Sequence, residues 1–276
     1  MMKALPVGLL SGLLFLTSCA KPTPVPRAVQ IPEPSVPVVP AAPEPTKPKV
    51  ESIPFHSLQA RTIERRGIEL TLVSFDRRNY RLVVADQPSG PGSRYDDAED
   101  AGNGHLASIN GGFFTPAGSP LGLVVTDGNR QGAVNRASFL GTGFFLGPKA
   151  KLLSRTDYLA SPPSHQEILQ SGPRLVWSGE TSTGLSNRDE RPRSFLLWDG
   201  KEHFALGYAD STSLKGLSSL LQSQPISGFK IAYALNLDGG RSCDFWISSS
   251  VNGGGFTRSS FLKKDVRNYL VLKRIP

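Results

Sequence analysis

Eleven prolines between residues 20 and 54 decide where a folded core can be. They stand at 22, 24, 26, 32, 34, 37, 40, 43, 45, 48 and 54, among Ala, Val, Glu and Lys. Proline fixes φ and removes a backbone donor, so this stretch can build neither a sheet nor a packed core. It reads as an extended, semi-rigid spacer at ~3.1 Å per residue, roughly 100 Å at full reach. All tertiary structure must therefore come from residues 55–276, enough for one domain with a substantial core. No repeat and no second linker interrupts that stretch.

Ahead of the spacer, Lys3 and the apolar run Leu5 to Phe15 lead into Leu16-Thr17-Ser18-Cys19. A basic start, a short apolar run and small residues before a cleavage point are the marks of a secretory signal over residues 1–18. The run is too short to cross a bilayer as a helix. The last four residues resemble a bacterial lipobox, which implies cleavage before Cys19 and acylation of its thiol. An ordinary signal peptide that contains a cysteine is the plainer alternative. Ala20 after Cys19 favours an outer-membrane address in a double-membraned cell. The expectation is a lipid-anchored envelope protein, with residues 19–54 as spacer.

The formal charge is +8, from 31 basic and 23 acidic side chains. In an envelope protein this suits anionic glycans or lipid headgroups, although plain solubility explains it as well. No nucleic-acid-binding motif is present, and an exported lipoprotein is a poor candidate for one. Cys243 is the only cysteine besides Cys19. No histidine pairs recognisably with it, so it reads as a buried filler rather than a nucleophile. Cys, His, Asp and Glu show no metal-ligand spacing, so neither a metal site nor a cofactor is expected.

Within residues 55–276, Ile68 to Phe75 and Tyr80 to Ala85 alternate around Asp76-Arg77-Arg78-Asn79, which predicts a β-hairpin. Leu214, Leu217, Leu220 and Leu221 predict a helix over 212–222, capped by Ser211 or Thr212. Several further short apolar runs predict strands. Many strands and few helices in no regular alternation argue an α+β domain of mixed or antiparallel sheets.

Two glycine-rich blocks stand out. One runs from Ser108 to Gly128 and breaks at Asn110-Gly111-Gly112; the other runs from Ala234 to Ile247 and carries Asn236 with Asp238-Gly239-Gly240. Each follows a strand-like run. Glycine pairs there permit positive φ and close backbone approach to a ligand, which suggests one site built from two strand ends. Such steps are also ordinary hairpin turns. Arg174 and Arg193 each open a strand, a position suited to phosphate or carboxylate, with surface ion pairing as the plainer alternative. Asp210 ends another strand.

Taken in order, INGGFF, PLGLVV, SGPRLV, PRSFLLWDG and LNLDGGRS resemble the phosphodiester glycosidase family over roughly residues 68–273. The resemblance implies hydrolysis of a sugar-1-phosphodiester bond. It marks Asn110, Gly111, Gly112, Arg174, Arg193, Asn236, Asp238, Gly239 and Gly240, with Arg241 and Ser242 alongside as substrate contacts. The chain departs from the family pattern at Cys243, where relatives often have Ser, and at Phe195, where many have Ala. A phosphodiester is a good leaving group, so Arg174 and Arg193 can take the place of the acid in a carboxylate pair. Asp238 is then the first candidate for nucleophile or base at the anomeric carbon, and Asp210 the second. Asn110 and Asn236 are candidates for sugar hydroxyls or phosphate oxygens. The competing expectation is a non-catalytic lipoprotein that binds an anionic glycan in the same pocket.

Overall fold

The computed structural model describes residues 58–223, 226 and 228–276; the expected signal segment, Cys19 and the whole proline spacer lie outside the described residues. The described chain opens with β1 (Leu58–Arg65), β2 (Ile68–Asp76) and β3 (Tyr80–Asp86), then α1 (Ala98–Gly102) and β4 (Ala107–Asn110). β5 (Val124–Thr126), β6 (Asn129–Gln131), β7 (Gly143–Gly147), β8 (Lys151–Ser154), α2 (Arg155–Ala160) and β9 (Glu167–Ser171) follow. Next come β10 (Arg174–Trp177), β11 (Glu180–Thr181), β12 (Arg191–Trp198), β13 (His203–Thr212) and α3 (Leu214–Ser223). β14 (Tyr233–Asn236), β15 (Asp244–Ile247), β16 (Phe256–Ser259) and β17 (Asn268–Arg274) complete it.

The strands make three sheets: a seven-stranded one ordered β1-β2-β13-β12-β14-β10-β11, and two of five strands, β16-β15-β4-β17-β3 and β6-β5-β9-β7-β8. Every strand pairing among the described residues is antiparallel. With only three short α-helices among the described residues, this is the α+β, sheet-dominated domain that the runs predicted.

The hairpin expected of β2 and β3 does not form. Asp76 to Asn79 do turn the chain, with the Asn79 N–H donating to the Asp76 carbonyl at 3.0 Å. Yet β2 pairs with β1 and β13, while β3 pairs with β17 in a different sheet. The reason is burial: β2 is covered on both faces from Leu70 onward and needs a neighbour on each side. β1, which alternation alone did not reveal, supplies one of them.

One face of the seven-stranded sheet packs Val73, Phe75, Leu196, Leu206 and Leu235 against Ile109, Phe145, Leu169, Phe245 and Leu270 of the other two sheets. The opposite face packs Phe195, Leu197, Ala205 and Ala209 under Leu217, Leu220 and Leu221 of α3. Each of those leucines contributes about 1.5–3 kcal/mol relative to exposure. The helix starts as expected, but Ser213 makes the cap: its hydroxyl accepts the Gly216 N–H at 3.0 Å. No helix among the described residues is long and apolar enough to cross a membrane.

The consequence for function lies in one connection. β14 belongs to the seven-stranded sheet and β15 to the neighbouring one, so Leu237 to Cys243 carry the chain from sheet to sheet. β4 lies beside β15 and ends on Asn110. Both glycine blocks therefore reach the same seam.

Candidate active site

The two strand ends are bonded to each other. Asn110 Nδ2 donates to the Asp238 carbonyl at 2.7 Å, and the Asp238 N–H donates to the Gly111 carbonyl at 2.9 Å. Asn110 Oδ1 accepts from Ser194 Oγ at 2.6 Å and from the Asp244 N–H at 3.1 Å. The Asn110 side chain is thus fully buried and engaged by protein on both its atoms. Asn236 Nδ2 donates to the carbonyls of Gly172 at 3.0 Å and Leu237 at 2.5 Å. In both residues the amide nitrogen fastens the seam.

The glycines act through space more than through φ. Gly111 takes ordinary φ, but a Cβ there would run into the Asn268 side chain, whose Oδ1 accepts the Gly112 N–H at 2.8 Å. A Cβ on Gly112 would meet the Gln170 carbonyl at 3.0 Å. Of the four paired glycines only Gly240 is left-handed, at φ 63°. It opens a 3₁₀ turn, Gly240–Ser242, that folds back under Asp238. Sequence reasoning did not single out the side chains of Asn268, which opens β17 after Arg267, or Gln170, which lies between Leu169 and Ser171 in β9.

Asp238 occupies the centre of this seam. Its Oδ1 accepts the Gly239 N–H at 2.9 Å, and its Oδ2 accepts Ser242 Oγ at 2.6 Å. Burial lifts its pKa above the ordinary carboxylate value, while the Ser242 bond and the charges of Lys264 and Arg191 act in the opposite direction. Cys243, next along, is fully buried, and burial pushes its thiol up to about 12, so it packs as an inert side chain.

Arg193 lies against the same loop. A Cβ on Gly239 would be 3.5 Å from its Nη1. The guanidinium is buried and donates to two carbonyls, Thr212 at 3.1 Å and Asp189 at 2.8 Å. The Asp189 carboxylate pairs with Arg191 instead, at 3.4 Å. Among the described residues no carboxylate comes within ion-pair distance of Arg193. Burial and the neighbouring charge of Arg191 bring its pKa down to about 10, so it remains a cation at neutral pH. Arg191 itself passes over Gly240, 3.3 Å from where its Cβ would be. Arg191 and Lys264 are the two cations that sequence reasoning missed: Arg191 opens β12 just ahead of the motif that carries Arg193, and Lys264 lies in a loop with no motif to flag it.

Two predicted residues lie elsewhere. Arg174 lines a separate recess of about 340 Å³ with Phe139, Thr142, Trp177 and Glu180. Its guanidinium lies 4.9 Å from the centre of the Trp177 ring. Asp210 is exposed, and its Oδ1 accepts backbone N–H groups of Glu69 at 3.1 Å and Ser211 at 2.7 Å. It does not end its strand, because β13 continues to Thr212. Arg241 is exposed and donates from Nε to the Leu262 carbonyl at 2.8 Å.

Four buried side-chain polar atoms among the described residues lack a partner, and three belong to residues of this seam: Asn236 Oδ1, Asp244 Oδ1 and Asn268 Nδ2. Buried polar atoms are nearly always satisfied, so these three set the seam apart from the rest of the described core. No cluster of His, Cys, Asp and Glu able to hold a metal ion is found among the described residues.

A family model described as phosphodiester glycosidase matches residues 103–273, which hold every residue placed at the seam. No curated protein sequence matches the chain. Among solved structures, the catalytic domain of zebrafish N-acetylglucosamine-1-phosphodiester α-N-acetylglucosaminidase, auto-inhibited by its pro-peptide, superposes with a TM-score of 0.55 at 15% identity, covering 82% of this chain and 88% of that one. A hypothetical protein from Synechocystis superposes at 0.51 and 16% identity, covering 78% of this chain and 61% of that one. At such identities the likeness is one of fold.

Proposed function

The chain belongs to the phosphodiester glycosidase family, and from that premise we propose that it hydrolyses a sugar-1-phosphodiester bond at the Asp238 seam. One observation carries the reading: a buried guanidinium, Arg193, with no carboxylate paired to it, lies against the glycine loop that bears a buried carboxylate, Asp238. A buried cation held only by carbonyls is matched to an incoming anion, and a phosphodiester brings one.

In the proposed step Asp238 acts as base. It takes a proton from a water molecule, and the water oxygen bonds to the anomeric carbon. The bond from that carbon to the phosphate oxygen breaks, and the phosphate monoester leaves with the electron pair. Arg193, helped by Arg191, holds the charge that collects on the leaving phosphate, so no second carboxylate is required to protonate it. The raised pKa of Asp238 suits a base, because a carboxylate lifted toward the working pH takes a proton more readily. The unpartnered Asn236 Oδ1 is the seam's free acceptor for a sugar hydroxyl. Arg174, on its aromatic recess, is assigned to a more distant part of the substrate. The zebrafish enzyme's name supplies the first sugar to try, N-acetylglucosamine. The lipobox-like Leu16-Thr17-Ser18-Cys19 and the proline spacer support a reaction in the cell envelope, on a glycan or glycan precursor.

The test is release of free sugar from UDP-N-acetylglucosamine and from an alkyl phosphodiester of N-acetylglucosamine-1-phosphate. Wild type should release it, and Asp238→Asn should lose at least about a hundredfold in rate, as expected on removing a general base. Full turnover by Asp238→Asn sinks the assignment of the base. Binding of the diester without turnover by either protein would make the chain a glycan-binding member of its family.

A further inference from the structure

Phe261 and Leu262 are 99% and 61% exposed, adjacent in sequence and followed by Lys263 and Lys264. Single exposed apolar side chains are common, but a neighbouring pair displayed this fully is not. The segment that carries them is bonded directly to the Asp238 turn. The Ser260 N–H donates to the Cys243 carbonyl at 3.0 Å, and the Lys264 N–H to the Arg241 carbonyl at 3.0 Å. Arg241 Nε donates to the Leu262 carbonyl at 2.8 Å.

The exposed charges near the pair are Arg241, Lys264 and Asp265. Lys263 turns inward, its Nζ 3.3 Å from Asp244 and 3.7 Å from Asp97. Arg241 and Lys264 are left bracketing the apolar pair. Lys264 Nζ lies 4.5 Å from the centre of the Phe114 ring, beside a cavity of about 520 Å³ lined by Pro91, Phe114, Thr115, Pro116 and Asp265. An aromatic and an aliphatic side chain flanked by cations is the pattern that seats a protein in the headgroup region of an anionic bilayer.

We propose that Phe261 and Leu262 dip into an anionic phospholipid surface, with Arg241 and Lys264 at headgroup level, so that the Asp238 seam meets glycosyl phosphodiesters presented at a membrane. This rests on the reaction proposed above and names how its substrate is displayed. The apolar pair supplies the burial, and the two cations together with the net charge of +8 supply the attraction to an anionic leaflet.

The experiment uses residues 20–276, which keep every described residue but lack the cysteine expected to carry lipid. The protein is sedimented with phosphatidylcholine vesicles, with and without phosphatidylglycerol. Wild type should bind the phosphatidylglycerol vesicles, more weakly at high salt. The Phe261→Ser/Leu262→Ser double variant should lose affinity by about tenfold or more, while its melting temperature and its rate on a soluble diester stay unchanged. Absence of wild-type binding, or equal binding by the double variant, overturns the proposal. So does a raised KM for the soluble diester with vesicle binding intact, which would put the pair over the substrate. Vesicle binding that needs the pair, in a protein that releases no sugar from any diester, keeps the surface and sinks the reaction. Sugar release without vesicle binding does the reverse.

Discussion

Replacing Arg267 with methionine should unfold the rim of the seam before anything else. Arg267 and Asp86 are a buried pair, their side chains 4% and 2% exposed. Nε and Nη2 reach the two carboxylate oxygens at 2.9 and 3.0 Å. Nη1 donates to the carbonyls of Gly118 at 2.7 Å and Pro88 at 3.4 Å. One guanidinium thus ties together the loops that follow β3, β4 and β16. Arg267→Met keeps the volume of the stem and removes the charge, leaving the Asp86 carboxylate buried with no partner. Removing one member of a buried pair costs about 3–5 kcal/mol. The lost donor to Gly118 adds about 1 kcal/mol. Against a total stability of about 5–15 kcal/mol this is a large fraction. At about 2–4 °C per kcal/mol for a domain of this size, a loss of about 4–6 kcal/mol lowers the melting temperature by roughly 8–24 °C. Chemical denaturation followed by tryptophan fluorescence gives the same quantity at constant temperature. The double variant Asp86→Leu/Arg267→Met should recover much of the loss, since an apolar pair of similar volume carries no desolvated charge. A single variant within 1 kcal/mol of wild type, or a double variant no better than the single, refutes this account of the pair.

Two pH effects follow from other buried groups. Burial lifts Glu167 from 4.5 to about 7, even though Val84 and Asp127 N–H groups donate to it at 2.7 and 3.2 Å. A folded pKa above the unfolded one means its contribution is complete below about pH 4.5 and is lost as pH rises through about 7. The melting temperature should therefore fall across that window, and Glu167→Gln should flatten the dependence; an unchanged slope would remove Glu167 as its source. Ser242→Ala takes away the hydroxyl that favours ionised Asp238, so the acid limb of the kcat/KM profile should move to higher pH. A limb that stays in place or moves lower would show that Asp238 is not the titrating base.

What could be read from sequence was local. Gly-Gly after an Asn or an Asp marks a strand end, and both blocks proved to be strand ends on one seam. The helix over Leu214 to Leu221 was legible because its four leucines repeat at helical spacing. Pairing was not legible. The Asp76 to Asn79 turn is real, but only the burial of β2 on both faces sends β3 to another sheet. Nor was the second partner of each polar residue. Asn110 looks the same in sequence whether its amide holds a sugar or the Asp238 carbonyl 128 residues away. Asp86 and Arg267 lie 181 residues apart, and nothing near either one announces the other. Arg174 does open its strand, but β12 begins at Arg191, two residues ahead of Arg193; of the two arginines Arg193 lies against the Asp238 loop, while Arg174 lies over the Trp177 ring.

The claim that the seam cleaves at carbon rather than phosphorus is tested most directly in ¹⁸O-labelled water. Attack at the anomeric carbon puts the label in the free sugar and none in the phosphate monoester, and the account predicts that result. Label in the phosphate would mean cleavage of the P–O bond, and would contradict the assignment of Asp238 and Arg193 to a glycosidase.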